Sequence, residues 1–322
     1  MDEITASDVL IAGLPGARMA WVCDLVARAM NQRYGSVAAV SIDAGALREV
    51  ADSSAPRLFI GHCIDGEWAV SIRAGLIPTV LVIEDIAASW HHLSRHSHDP
   101  YGAARDLTVV AHSLGDLVGQ GRVLTLGQEA WRGPEAPIAA ILGHLDLADQ
   151  AMSMGELGNP RPSVGPIPDE IPPDIAEILT ATLSPAHRYA SEGTRTPVIW
   201  PRVALLWGDR PGEQLPRVLD MTGPARVVAY GPYYRLPPGR WIMRATLVFS
   251  PDCKGMPLAL ELHGPTELGR FPFIVELPGI FAASMPVVVP SPRETLEFRL
   301  TIERGAIEGR LGIDRIEFLP EP

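Results

Sequence analysis

Four groups of residues in this chain have types and spacings that could do chemistry. The first lies in Val9–Val26 (VLIAGLPGARMAWVCDLV), where an apolar run meets a glycine turn and then an amphipathic stretch. A strand, a glycine turn and a helix form the basic device for holding phosphate, because backbone N–H groups and the helix dipole converge on the anion. Gly13, Pro15, Gly16 and Arg18 are its candidates. The second is His62, which closes the apolar run Arg57–Cys63 (RLFIGHC). Strand ends in a parallel sheet open onto the ligand crevice, and an imidazole there could act as a general base. A structural histidine with both ring nitrogens satisfied is the equal alternative. The third is WHHLSRHSHD, in which His92 and His96 stand i, i+4 as zinc ligands do. No acidic general base sits between them, so the stretch reads as a polar helix end and no metal site is expected. The fourth is Leu219–Trp241 (LDMTGPARVVAYGPYYRLPPGRW). Sugars are held by aromatic faces with polar groups fixing the hydroxyls, so Tyr233, Tyr234 and Trp241 are aromatic candidates and Arg235, Arg240 and the nearby Asp252 polar ones. Inward packing as core is the competing reading for Tyr233 and Trp241.

A weaker signal is Ala111–Gly115 (AHSLG), which approaches the G-x-S-x-G nucleophile elbow through Ser113. Its first glycine is Ala111, and Asp116–Arg122 carries two glycines where the elbow needs a helix. A serine hydrolase is therefore the least favoured function.

The elements that must position these residues alternate in the first half. Asp8–Ala12, Val37–Ile42, Arg57–Ile60, Pro78–Ile83 and Val123–Leu126 read as strands. Met19–Gln32, Ala87–Leu93 and Pro134–Leu142 read as helices. Alternation of this kind implies a parallel sheet with both faces covered. Gly158–Pro173 (GNPRPSVGPIPDEIPP) is rich in proline and glycine and reads as a linker or arm, with a short helix over Asp174–Leu183. Short apolar runs follow at Arg226–Tyr230, Trp241–Phe249, Leu258–His263, Phe271–Leu277, Leu296–Ile302 and Gly312–Phe318. Evenly spaced strands without helices imply an antiparallel, jelly-roll-like sandwich. The expected organisation is an α/β domain over 1–150, a linker or arm over 151–197 and a β-sandwich over 198–322.

Composition removes several functions. The 322 residues carry a formal net charge of −11 and a single lysine, Lys254. A Walker-type phosphate loop needs a lysine, so none is intact before that residue. The acidic balance argues against nucleic acid as a partner. No apolar run approaches the ~18 residues of a membrane span. The segment Met1–Asp8 carries acids where a signal peptide would carry a basic region. Cys23, Cys63 and Cys253 are too few and too widely spaced for a disulfide framework or a zinc site. The expectation is a cytoplasmic protein.

The order of motifs over 8–150 resembles the sulfotransferases. Gly13, Leu14, Pro15 and Trp21 fit that family's strand–GxPRSGTTWL–helix pattern, which grips the 5′-phosphosulfate of the donor PAPS. RLFIGHC resembles the strand ending in Lys-x-His, with Ile60 for lysine and His62 kept. PTVLVIEDIAASW, Pro78–Trp90, is similar to the strand–RDPxDxxxS segment that binds the 3′-phosphate; Asp85 and Ser89 remain and Glu84 replaces arginine. Val123–Leu147 resembles the closing stretch of that fold. The resemblance implies a vestigial donor site at Gly13, Pro15, Gly16, Arg18 and Ser89, with His62 as the catalytic position. Residues 1–150 hold ten arginines against eighteen acids, which repels the anionic donor. The expectation is a degenerate, non-catalytic domain with no cofactor. PAPS enters only in the alternative, an active sulfotransferase acting on a polysaccharide.

The GPY…LPPGxW stretch resembles a carbohydrate-binding-like β-sandwich module of bacterial polysaccharide-biosynthesis proteins. It implies a polysaccharide or glycosyl ligand, and a polysaccharide synthase assembly as a partner. Taken together, the expectation is a glycan-binding or scaffolding protein of exopolysaccharide production.

Overall fold

The computed structural model describes residues 4–43, 55–131, 136–147 and 170–321. These fall into two compact units. One comprises Met1–Ala103, Ser113–Asp169 and Tyr189–Thr194; the other comprises Ala104–His112, Glu170–Arg188 and Arg195–Pro322.

In chain order the α/β region contains β1 (Val9–Gly13), α1 (Ala17–Tyr34), β2 (Ala38–Ser41), β3 (Arg57–Gly61), α2 (Gly66–Arg73), β4 (Thr79–Val82), α3 (Ile86–Ser97), α4 (Pro100–Gly115), β5 (Val123–Leu126) and α5 (Ala136–His144). The five strands form a parallel sheet in the order β2-β3-β1-β4-β5. All five residues of β1 are buried, as a central strand covered on both faces requires. Val9 and Ile11 meet Met19, Val22, Leu25, Val26, Ala29 and Met30 of α1, together with Val80, Val82 and Trp131, in one core. A Cβ on Gly13 would collide with the Val82 carbonyl, so the end of β1 can approach β4 only as glycine.

Polar residues fix the entries. The buried Asp8, just before β1, accepts the Arg57 backbone N–H (2.9 Å) and its side chain (Nη2, 2.6 Å; Nε, 3.2 Å) at the start of β3. Asp65, Asp85 and Asp99 cap α2, α3 and α4 through the N–H groups of the first turns, and Pro100 occupies the first turn of α4. The apolar Leu107–Val110 lies inside α4. Ser113 therefore sits within a continuous helix, 6% exposed, and the strand–turn–helix of a nucleophile elbow is absent there.

Residues 151–169 of the expected linker lie outside the described residues. Its later part is helical rather than irregular: α6 (Pro173–Ile178), a π-helical turn (Leu179–Leu183) and α7 (Ser184–Glu192) follow one another. Ile175, Ile178, Leu179 and Leu183 are buried, so the apolar periodicity overrides the prolines before it.

The strands then run β6 (Val198–Pro201), β7 (Leu206–Trp207), β8 (Leu219–Asp220), β9 (Arg226–Pro232), β10 (Gly239–Phe249), β11 (Pro257–His263), β12 (Glu267–Ile274), β13 (Gly279–Val289), β14 (Glu297–Ile302) and β15 (Arg310–Pro320). One antiparallel sheet has the order β13-β10-β15-β6, with β8 also on β15; the other has β12-β11-β14-β9-β7. Alternation along β10 buries Trp241, Met243, Ala245, Leu247 and Phe249. Leu258, Leu260 and Leu262 of β11 and Phe298, Leu300 and Ile302 of β14 are the buried set of the second sheet. The Phe249 and Phe273 rings, one from each sheet, lie 6.3 Å apart, so the buried faces meet as a sandwich. The sequence reading missed β13. Pro286 interrupts its apolar pattern, which a sheet tolerates because β13 is an edge strand.

Candidate functional site

In the α/β unit, the turn after β1 leads into α1, whose N-cap is Gly16 with no side-chain cap. The anion at this helix start is the protein's own. Glu84, fully buried at the end of β4, accepts the Arg18 backbone N–H at Oε2 (3.0 Å) and the Asp85 N–H at Oε1 (3.0 Å). Its Oε1 lies 3.4 Å from Arg18 Nε. A Cβ on Gly16 would stand 2.8 Å from Glu84 Cγ, so the carboxylate lies directly against the turn. Arg18 is buried as well. Its Nη1 donates to Gln128 Oε1 (3.0 Å), and its guanidinium sits 4.9 Å from the Trp131 ring centre. Both charges at this loop are therefore engaged with each other and with the core.

The other expected donor-site residues are arranged around that pair. Leu14 N–H donates to the Val82 carbonyl (3.0 Å), and Pro15 is buried. His62 is half-buried; its Nδ1 is 2.8 Å from the Gly13 carbonyl, which can only accept, so Nδ1 carries a hydrogen. The Asp43 carboxylate accepts the backbone N–H groups of His62 and Cys63, a support the sequence reading missed. Ser89 is buried in the first turn of α3, and its Oγ makes no hydrogen bond among the described residues.

A cavity of about 430 Å³ adjoins the turn, lined by Gly16, Ala17 and Ala20 of α1 and by Ala88, His91, His92, Arg95 and His96 of α3. Burial, then the neighbouring His96, His62 and Arg95, hold His92 below the ordinary imidazole range. Among the described residues no group of three His, Cys, Asp or Glu side chains could hold a metal ion.

In the sandwich unit, two of the three expected aromatic residues are core. Trp241 is 0% exposed and Tyr234 1%. Trp241 Nε1 donates to the Pro237 carbonyl (3.0 Å), and the Tyr234 ring packs edge-on against Trp200 at 6.1 Å. Neither ring presents a face to a ligand, because the inward side of β10 and the adjoining turn need large apolar fillers. Arg240 is exposed and pairs with Glu321 (3.0 Å). Arg235 is half-buried, with its backbone N–H on Thr108 Oγ1 (3.2 Å).

Tyr233 stays at the surface. Its φ of 69° is rare for a bulky residue. Its hydroxyl donates to Glu297 Oε1 (3.2 Å). Burial, then the Glu297 charge, push that hydroxyl's pKa up to about 12. The Tyr230 ring lies edge-on to it at 6.2 Å. From Tyr230 a row runs across the sheet: Tyr230 pairs in register with Arg299, Arg299 with Glu261, and Glu261 with Arg270. These alternate with the buried Phe298, Leu300, Leu260 and Leu262, so the row stands on the sheet's other face. Arg299 Nη2 contacts Glu297 (2.6 Å), His263 Nε2 contacts Glu261 (3.0 Å), and Arg270 bridges Glu261 (3.3 Å) and Glu303. Opposed charges hold one another in place, leaving two tyrosine rings beside a fixed set of donors and acceptors. Tyr230, Glu261, Glu297 and Arg299 were not among the expected site residues. Their alternation with the buried positions of β9, β11 and β14 was the signal that could have found them.

No protein-family model matches the chain, and none of the curated proteins does. It is similar in structure to TmCBM61 in complex with β-1,4-galactotriose, at 10% identity over 39% of this chain and 88% of that one, with a TM-score of 0.26. It is also similar to the C-terminal CBM6 of LamC from Zobellia galactanivorans (11% identity, 38% and 99% covered, TM-score 0.25). A family 35 carbohydrate binding module from Clostridium thermocellum gives 8% identity, 39% and 99% covered, and a TM-score of 0.25. Likeness at these scores is too slight to speak for function.

Proposed function

We propose that this protein binds a glycan through the outer face of the β12-β11-β14-β9-β7 sheet and does not transfer sulfate. The observation that carries the reading is the Tyr230–Arg299–Glu261–Arg270 row, flanked by Tyr233 on Glu297. Tyrosine combines an apolar ring with a polar tip, which suits the C–H faces and hydroxyls of a sugar. Carboxylates and guanidinium groups already held in mutual contact are pre-organised to exchange hydrogen bonds with hydroxyls. The near balance of charge along the row favours a neutral polysaccharide.

The α/β unit supports this reading from the other side. A phosphosulfate donor would need the helix start that Glu84 occupies, and it would meet a buried carboxylate there. We read that unit as a sulfotransferase-like scaffold in bacterial exopolysaccharide production, with a polysaccharide synthase assembly as its setting. His62 then has no donor to serve as base.

The test is affinity electrophoresis of the full chain through gels containing neutral polysaccharides. Retardation is expected in at least one gel, and Tyr230→Ala and Tyr233→Ala should each weaken it about tenfold or more while leaving the fold intact by circular dichroism. Retardation unchanged by either substitution would remove the site from this face.

A further inference from the structure

Among the described residues five strands end the two sheets, and four of them are short or defended against pairing with another chain. β6 has four residues and ends in Pro201; β7 and β8 have two each; β12 carries Glu267, Arg270 and Pro272. The fifth, β13, is eleven residues long (GIFAASMPVVV), holds no charged side chain, and pairs only with β10 among the described residues. Its solvent side is apolar, with Ile280 73% and Val288 57% exposed. Long apolar edge strands without charges are templates for strand addition. Only Pro286 interrupts this one, leaving Gly279–Met285 open.

The size pattern of that stretch points to what covers it. Large residues, Ile280 and Phe281, lie at one end and small ones, Ala283 and Ser284, at the other. An antiparallel pairing of two such strands about Ala282 sets Phe281 opposite Ala283 and Ile280 opposite Ser284, large against small on both faces. Phe281 and Ala283 share the side of the strand that carries the buried Met285 and Val287. On that side lies an apolar cleft of about 270 Å³, lined among others by Phe249, Phe271, Phe273, Phe281, Leu277 and Ala283. A second copy's Phe281, seated over Ala283, would reach the mouth of this cleft. The exposed Ile274 and Leu277 (62% and 59%) flank it. Charge selects the same partner. A chain of net charge −11 repels its own copies except through an uncharged patch, and β13 is one.

We propose that β13 is a self-association edge at which two copies pair about a two-fold axis through Ala282. The contact is isologous, so it closes at a dimer. It joins the two β13-β10-β15-β6 sheets into one and buries each cleft under the other copy's Phe281.

Sedimentation velocity on the full chain tests this. The expected species is twice the monomer mass, dissociating on dilution. Ala282→Lys puts like charges directly opposite each other and should leave only monomer, folded by circular dichroism. Opposed residues on paired antiparallel strands have Cβ atoms about 4.5–5.5 Å apart, close to disulfide reach. Ala282→Cys should therefore cross-link two chains on mild oxidation, whereas Val288→Cys, beyond the paired stretch, should not exceed the unsubstituted chain. A monomer at every concentration, a dimer indifferent to Ala282→Lys, or equal cross-linking at both positions would overturn the proposal. None of these outcomes depends on glycan binding.

Discussion

Replacing Glu84 by glutamine tests whether the protein has filled its own anion site. The fully buried carboxylate accepts two backbone N–H groups at 3.0 Å and faces the largely buried Arg18 guanidinium at 3.4 Å. An amide keeps the shape but can accept only one of the two N–H groups, and its own NH₂ meets the other. One charge-assisted hydrogen bond, worth about 1.5–3 kcal/mol, is lost. Arg18 is left as a buried charge without its partner, a change that costs about 3–5 kcal/mol when a buried pair is broken. The remaining contacts of Arg18 with Gln128 and Trp131 offset part of this, so a net loss of about 3 kcal/mol is expected. For a unit of this size that lowers the melting midpoint by about 6–12 °C. The assay is calorimetric melting of the full chain, following the transition of the α/β unit. Glu84→Ala adds a second readout. It empties the helix start, so sulfate should raise its midpoint more than it raises that of the unsubstituted chain. The general salting effect acts on both proteins alike, so the difference reports the site. A Glu84→Gln midpoint within 1 °C of the unsubstituted chain, or equal sulfate responses, would refute the reasoning.

Two further substitutions report on buried titrating groups. His112 is enclosed in the sandwich unit; burial first, then the Arg235 charge, lower its pKa to about 3, so it folds neutral. Because its folded pKa lies below the unfolded value, stability present above about pH 6.5 falls as the pH drops towards 3, with a slope of up to about 1.4 kcal/mol per pH unit. Urea unfolding between pH 4.5 and 7 should show this decline and lose it in His112→Gln; an unchanged slope would contradict a neutral histidine. Burial alone would raise the Asp8 pKa, but hydrogen bonds from Arg57 and Thr5 and the Arg57 charge outweigh it and hold it below the carboxylate range. Its contribution is complete above about pH 4 and is lost as the pH falls through the lowered folded value. Asp8→Asn should thus destabilise the α/β unit by about 3 kcal/mol at pH 7 and by little near pH 2. A loss of equal size at both pH values would show that the charge is not what matters.

The parallel sheet was legible because its strands are short apolar runs between glycine and proline signals, and β1 needs only its five buried residues to declare itself. Helix α4 was not read as one element, although its start is written in Asp99 as cap and Pro100 in the first turn. In the sandwich, two of the rings expected at Leu219–Trp241, Tyr234 and Trp241, are core. Composition cannot say which way Tyr234 and Trp241 point; that follows from the register of β10, in which Trp241 shares a face with Met243 and Leu247. Tyr230 and Arg299 become neighbours only through the pairing of β9 with β14, across a separation of 69 positions that no local pattern carries. Glu84 was visible as an acid where the family resemblance implies arginine. Its role as the anion at the start of α1 emerged only from the contact between β4 and the turn after β1.

Titration calorimetry of the full chain measures the central claim most directly, with adenosine 3′,5′-bisphosphate in one cell and a retarded polysaccharide in another. Binding of the glycan and no heat from the nucleotide at millimolar concentration is the result predicted for a glycan binder whose donor cradle Glu84 fills. Submillimolar binding of the nucleotide, or its binding without any glycan, would contradict it.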